Sequence, residues 1–289
     1  MRKRIRTLEI FRGDETVMYR NGSVYSPADP FATAVLVQGE RVVWVGEEAG
    51  ADSVVDDSMH TVDLDGLILV PGFVGRIDAS QASQDTDVQL AQSGYTASVV
   101  AQDDSWHLRQ VFTDQTLDLP SAVRVAETSQ NFTDIEDSGL LLSADLNDEQ
   151  WIDVVKDQLK AGSAVGLVSS SSVVGDSTTL NPWEWATRGL RLNSQDSVGL
   201  PSRATFTAQT RGLRRLFRAG GPFGGQIVPD APADFVGWRA EALMVQTADT
   251  RIAAWSTDPR ARTPLLPELN EHSFPIAQIA RVGSRELSW

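Results

Sequence analysis

The sequence predicts an α/β protein in which two β-rich ends flank a middle of alternating strands and helices. Three features predict it. Short β-branched runs broken by turn signals extend from Thr16 to Val70, the hydrophobic period changes across residues 73 to 219, and short strands return from Gln226 onward.

Each element has its own signal. Thr16 to Tyr19 precedes Asn21-Gly22, a hairpin signal, and Ser23 to Tyr25 follows it. Ala34 to Val37 and Val42 to Val45 are β-branched runs around Gly39-Glu40, which predicts a second hairpin. Thr61 to Leu64 and Leu67 to Val70, separated by Gly66, complete a β unit that stops at Pro71-Gly72. In the middle, Ala97 to Ala101 follows the turn residues Ser93-Gly94, and Gly139 to Ala144 is a second apolar run. That run leads to Asn147, Asp148 and Glu149, a helix start. Trp151, Ile152, Val154, Val155 and Leu159 then share one helix face until Gly162. Ala164 to Val168 is the next strand, so the stretch reads as a βαβ unit of a parallel sheet. A helix from Ser202 to Arg218 ends at Gly220-Gly221. Phe235 to Trp238, Ala242 to Gln246 and Ile252 to Trp255 follow as strands. The proline-rich stretch from Thr257 to Glu268 has little periodicity and reads as an ordered arm or a mobile surface segment.

Composition narrows the function classes. Of the 289 residues, 41% are hydrophobic and 22% charged, as in an ordinary globular chain. A net charge of −14 argues against nonspecific binding to nucleic acid or anionic lipid. No stretch is long and apolar enough to span a bilayer, and the basic start MRKRIR runs into TLEIFRGDE without the apolar core of a secretory signal. Cysteine is absent, which removes disulfides, thiolate metal sites and cysteine nucleophiles and fits a cytoplasmic location. One basic stretch stands out, RGLRRLFR. On a helix Arg211, Arg214, Arg215 and Arg218 fall on one stripe. The stripe reads either as a solvated face paired with the many carboxylates or as a site for an anion or an acidic partner.

The two ends carry a resemblance. NGSVYSPADPFATAVLVQGERVVWVGEE, followed by DLDGLILVPGFV, is similar to the opening of amidohydrolase-superfamily enzymes, in which a β segment leads through a PGF motif into the first barrel strand. At the other end PSRATFTAQTRGLRRLF and GGQIVPDAPADFVGWRAEALMV resemble the last barrel helix and the return to the β domain. Ala233-Asp234-Phe235 and Trp238 match the motif there, and AAWSTDPR continues the likeness to a branch of large, exoenzyme-type members. The middle carries little of it beyond Asn181-Pro182-Trp183-Glu184-Trp185 and the strand before it. PGF and ADF read as scaffold: a turn before a buried strand, and a core strand. The resemblance implies a composite β-sandwich domain from residues 1–72 and 220–289 around a (β/α) domain from 73–219. A full (β/α)₈ barrel needs at least about 200 residues. The inserted part is therefore expected to be a truncated TIM-barrel-like domain of about four βα units, in an α/β fold.

The same resemblance implies chemistry that these residues do not supply. The family uses divalent metals to activate water, and two of the ligands are histidines at alternate positions of the first barrel strand. After PGFV this chain has Ile77 and Ala79 at those positions, with Asp78 between them on the opposite face. The catalytic aspartate of the last barrel strand aligns with Ser170, within Ser169-Ser170-Ser171-Ser172. No histidine motif surrounds these serines to activate one as a nucleophile, so they read as a polar loop. The chain has three histidines. His60 and His272 lie towards the ends, and His107, the one near a barrel mouth, reads as structural or exposed.

The expectation is therefore a non-catalytic, amidohydrolase-like protein with no metal or other cofactor and no nucleic-acid or membrane partner. The alternative is an active amidohydrolase cleaving C–N bonds with an atypical or partner-completed site. A shortened barrel leaves bare edges, which favours a homo-oligomer or a complex with a related protein. Eight tryptophans would suit such an interface.

Overall fold

A computed structural model describes residues 7–102, 105–127, 139–175, 179–190, 199–244, 264–270 and 273–289. The first part is almost all strand: β1 (Thr7–Ile10), β2 (Thr16–Arg20), β3 (Ser23–Val24), β4 (Ala34–Gln38) and β5 (Arg41–Gly46). The short helix α1 (Glu48–Val54) follows, then β6 (His60–Asp63) and β7 (Ile68–Pro71). The Gly39-Glu40 hairpin forms as predicted, with β4 antiparallel to β5 and Gly39 at φ 57°. The hairpin expected at Asn21-Gly22 does not. β2 joins a four-stranded sheet ordered β5-β4-β2-β6, whereas β3 crosses to a second sheet and pairs parallel with β7. Burial decides this. Val17 and Tyr19 of β2 face Val24 of β3 and Leu69 of β7 across one core, so the corner transfers the chain between sheets instead of reversing it.

The middle begins with β8 (Phe73–Asp78), a 3₁₀ turn at Ala79–Gln81, α2 (Gln84–Gln92) and β9 (Tyr95–Gln102). The strands β10 (Ser105–Gln110), β11 (Thr116–Asp118), β12 (Arg124–Glu127) and β13 (Leu140–Ala144) come next. They lead to α3 (Gln150–Lys160), β14 (Val165–Ser169), α4 (Trp183–Leu190), α5 (Ser202–Thr207), a π turn at Ala208–Gly212 and α6 (Leu213–Leu216). β8 and β9 are parallel, and β10 and β11 fold back antiparallel beside them. β12, β13 and β14 form a parallel sheet, so the predicted βαβ unit is present. Trp151, Ile152 and Val155 bury the sheet-facing side of α3, while Leu159 lies 44% exposed beside a groove at α5. The two sheets meet where Val173 N–H donates to the Arg76 carbonyl at 2.7 Å.

The last strands are β15 (Asp234–Arg239), β16 (Leu243–Met244), β17 (Leu266–Pro267), β18 (Ile276–Val282) and β19 (Arg285–Ser288). The strand expected at Ile252 to Trp255 lies outside the described residues. β1, β3 and β7 combine with β15, β18 and β19 in one six-stranded sheet, ordered β1-β19-β18-β15-β7-β3. One face packs Phe235 and Ile279 against Tyr19, Val35, Val37 and Val42 of the four-stranded sheet. The other face packs Val236, Trp238 and Ala280 against Leu90 of α2, Trp183 of α4 and Phe206 of α5.

Sequence pattern alone would gather Val35, Val37, Val43 and Val45 in one core with Phe235, Val236 and Trp238, but Val43 is exposed and Val236 and Trp238 lie on the other face of the sheet. Two features separate them. A bulge in the β4–β5 ladder turns Val42 inward and leaves Val43 40% exposed, and strand alternation sends Phe235 and Val236 to opposite faces. Tryptophans that would suit an interface are core instead: Trp151, Trp183, Trp185 and Trp238 are all buried. The fold is mixed α/β with several sheets.

Candidate functional site

Two motifs that read as scaffold meet at a polar site. Pro71-Gly72 carries the chain from β7 into β8, and Gly72 N–H donates to the Asp234 carbonyl at 3.1 Å. A Cβ on Gly72 would lie 2.2 Å from the Thr96 side chain, so only glycine lets the two strand starts approach this closely. Arg214 of α6 reaches into that junction. Its Nη1 donates to the Gly72 carbonyl at 2.7 Å and its Nη2 to Thr96 Oγ1 at 2.5 Å. The helix can come so near because Gly212 lies against the Val165 carbonyl, 2.1 Å from where a Cβ would stand.

Arg214 is 3% exposed, and what remains of its surface lines a cavity of about 410 Å³. Asp234 lines the same cavity. Its Oδ1 accepts from Gln110 Nε2 at 2.9 Å and from Gly283 N–H at 3.1 Å. Burial pushes the Asp234 carboxyl above the usual carboxylate range, opposed by the charge of Arg214. Burial likewise lowers the Arg214 guanidinium, opposed by Asp234. Among the described residues neither makes an ion pair. Ala97 and Leu108 supply buried apolar wall, and Glu40, Arg41 and Gln115 stand at the solvent side.

The basic stripe does not form as one face. Arg211, Arg215 and Arg218 are exposed, but Arg214 lies at the inner edge of the arc and turns into the core. Arg218 falls beyond α6 at φ 55° and is out of helical phase.

At the other end of the strands, Ile77 is fully buried in an apolar cluster with Phe73, Leu90 and Trp183. Asp78 and Ala79 are exposed, and Asp78 caps the 3₁₀ turn in a reciprocal pair with Gln81. Ser170 is exposed and donates its N–H to the Ala144 carbonyl at 2.6 Å. Ser169 and Ser172 bond locally within their loop. His107 Nδ1 is 2.8 Å from Asp118 Oδ1 across the β10–β11 pair, an ordinary cross-strand contact. His60 is exposed at the start of β6, and His272 lies outside the described residues.

No protein-family profile matches the sequence, and neither does any curated protein. Solved structures match in fold. An amidohydrolase from Thermotoga maritima aligns over 93% of this chain and 99% of its own, at 12% identity and a TM-score of 0.55. Enamidase, described as a new member of the amidohydrolase superfamily, aligns over 94% of this chain and 95% of its own, at 9% identity and 0.60. An amidohydrolase from a Sargasso Sea environmental sample aligns over 94% and 92%, at 11% identity and 0.56. This chain has the amidohydrolase fold.

A metal implied by the amidohydrolase fold needs several nitrogen or oxygen donors around one point. Ile77 and Ala79 offer hydrocarbon and Ser170 a single hydroxyl. Among the described residues no three His, Cys, Asp or Glu side chains converge into a metal-binding group. These residues do not fit the metal. In barrel enzymes the chemistry sits at the C-terminal ends of the parallel strands. Here the charged cavity lies at the N-terminal ends, where Phe73 begins β8 and Tyr95 begins β9. Nothing in the sequence singles out Gln110, and the ADF motif presents Asp234 as scaffold. The available signals were an acidic residue opening an otherwise apolar strand, and an arginine between Leu213 and Leu216 in a helix that must bury both.

Proposed function

We propose that this chain is a non-catalytic protein of the amidohydrolase fold, a pseudoenzyme that acts through binding and assembly. One observation carries the reading: the three positions that the resemblance assigns to metal and proton transfer hold Ile77, Ala79 and Ser170. The first is sealed in the apolar core, and the other two cannot replace imidazole or carboxylate. Its plan is a shortened (β/α) barrel, residues 73–219, inserted in a β-sandwich built from 1–72 and 220–289. Strands from both ends sharing one sheet, and five parallel strands in the middle, support this plan among the described residues.

The reading places the protein in the cytoplasm, with no nucleic-acid or membrane partner and with a second copy or a related chain on its open edge. No described helix is long and apolar enough to cross a membrane. β1 ends the six-stranded sheet, and it exposes Leu8 at 41% and Ile10 at 66%, with Ile276 of β18 at 56%.

Elemental analysis of the purified chain after dialysis tests the catalytic part. The expected result is no stoichiometric zinc, nickel, iron or manganese. About one metal per chain, retained together with hydrolysis of amide or amidine substrates, would establish the active alternative. Installing only Ile77→His and Ala79→His is expected to leave the chain inactive, because among the described residues no further ligands converge there.

A further inference from the structure

We propose that the cavity at the N-terminal ends of β8 and β9 binds a free α-amino acid with an apolar side chain, its carboxylate at Arg214 and its ammonium at Asp234. The proposal rests on the binding reading above and names the ligand of that site.

The charges argue for it first. Arg214 and Asp234 are opposite charges lining one cavity, yet among the described residues they form no ion pair with each other or with any other group. The hydrogen bonds of Arg214 go to neutral oxygens, and both hydrogen bonds to Asp234 land on Oδ1. At this separation their mutual attraction offsets the cost of burial only in part, and a partner that touches both with complementary charges removes the deficit. A simple anion would satisfy Arg214 and face Asp234, and a simple cation would do the reverse. A small zwitterion satisfies both. The solvent side repeats the balance, with Glu40 beside Arg41, so the lining carries no net charge of its own.

The walls decide the rest of the ligand. Ala97 and Leu108 on the buried side, with Pro232 and the more exposed Leu117, present hydrocarbon to the same cavity, as an aliphatic side chain requires. The volume of about 410 Å³ falls in the range of small-molecule sites, roughly 300–1,000 Å³. The amide of Gln110, already bonded to Asp234, holds that carboxylate in place.

The test is thermal unfolding of the whole chain with millimolar L-leucine, N-acetyl-L-leucine (carboxylate only) and L-leucinamide (ammonium only). Leucine is expected to raise the unfolding temperature in proportion to its concentration, with each derivative binding at least about tenfold more weakly. Asp234→Asn keeps the shape and the Oδ1 acceptor and is expected to lose the effect. Leu117→Trp is a second variant, at a rim position 44% exposed, that fills the cavity without touching the core. It is also expected to lose the effect, and it carries the test alone if Asp234→Asn does not unfold cooperatively. No shift with leucine, equal shifts with either derivative, or undiminished binding by Leu117→Trp overturns the assignment. Failure here with a metal-free, inactive chain leaves the non-catalytic reading standing, whereas a retained metal with turnover overturns that reading whatever leucine does.

Discussion

Trp238→Ala tests how the end-derived sheet is joined to the middle of the chain. Trp238 is 1% exposed on β15, edge-on to Trp183 at 5.5 Å and to Phe73 at 6.1 Å between ring centroids. Phe206 completes the group, stacked on Trp183 at 5.7 Å and edge-on to Phe73 at 5.3 Å. Four elements (β8, α4, α5 and β15) therefore share one aromatic cluster. Truncating a buried tryptophan to alanine costs about 3–5 kcal/mol, depending on how far the neighbours collapse. Collapse is restricted here, because the Gly94 turn already touches the indole edge and can close the gap only by moving backbone. The expected loss is therefore in the upper half of the range, about 4–5 kcal/mol, against a typical total of roughly 5–15 kcal/mol. Urea unfolding followed by far-UV circular dichroism and by fluorescence measures it, with an unchanged slope expected. A cycle with Phe73→Leu is expected to show coupling of about 1 kcal/mol. A loss below about 1.5 kcal/mol, or two separate transitions in the parent protein, would refute the claim that this cluster ties the sheet to the helices.

Three further outcomes follow from the same structure. Gly94→Ala combines a φ of +92° with a Cβ placed 2.1 Å from the Trp238 ring, so it is expected to cost more than about 2 kcal/mol; a neutral result by thermal melting would contradict the packing. Burial raises the Glu286 carboxyl above its ordinary value, and Tyr19 Oη donates to it beside Arg281. A raised acid contributes no penalty while both states are protonated, below the unfolded value near 4.3, and costs stability as pH rises through the folded value. Melts across this window are expected to fall less steeply for Glu286→Gln than for the parent, and a steeper fall would reverse the sign. Light scattering after gel filtration at micromolar concentration is expected to show a dimer or larger assembly that Ile10→Lys weakens. A heat-stable monomer would mean the fold closes on itself.

Much of the architecture follows from local signals. β-Branched alternation around Gly39-Glu40, and an amphipathic helix between two apolar runs at 139–168, encode a hairpin and a βαβ unit through neighbours close in sequence. The PGF and ADF motifs placed the chain near the amidohydrolase fold. What that resemblance implies about metal and proton transfer directed attention to Ile77, Ala79 and Ser170, which local signals alone do not single out; Ala79 in fact lies past the end of β8, exposed in the 3₁₀ turn.

What the sequence could not determine are relations between residues far apart in it. Asn21-Gly22 has the composition of a hairpin turn, yet burying Val17 and Val24 on opposite sheets outweighs it. One-residue choices such as Val42 over Val43 depend on a bulge that exists only once β4 and β5 are paired. Arg214 looks like a member of a solvated stripe until the Gly72 carbonyl and Thr96, more than a hundred residues earlier, are brought to its guanidinium. Asp234 becomes a half-buried carboxylate facing a cavity only because β15 pairs with β18, which sets it beside Gly283, and because Gln110 of β10 reaches its Oδ1. Periodicity reports which face a residue belongs to. What lies opposite that face, and whether a charge there finds a partner, is decided by tertiary packing.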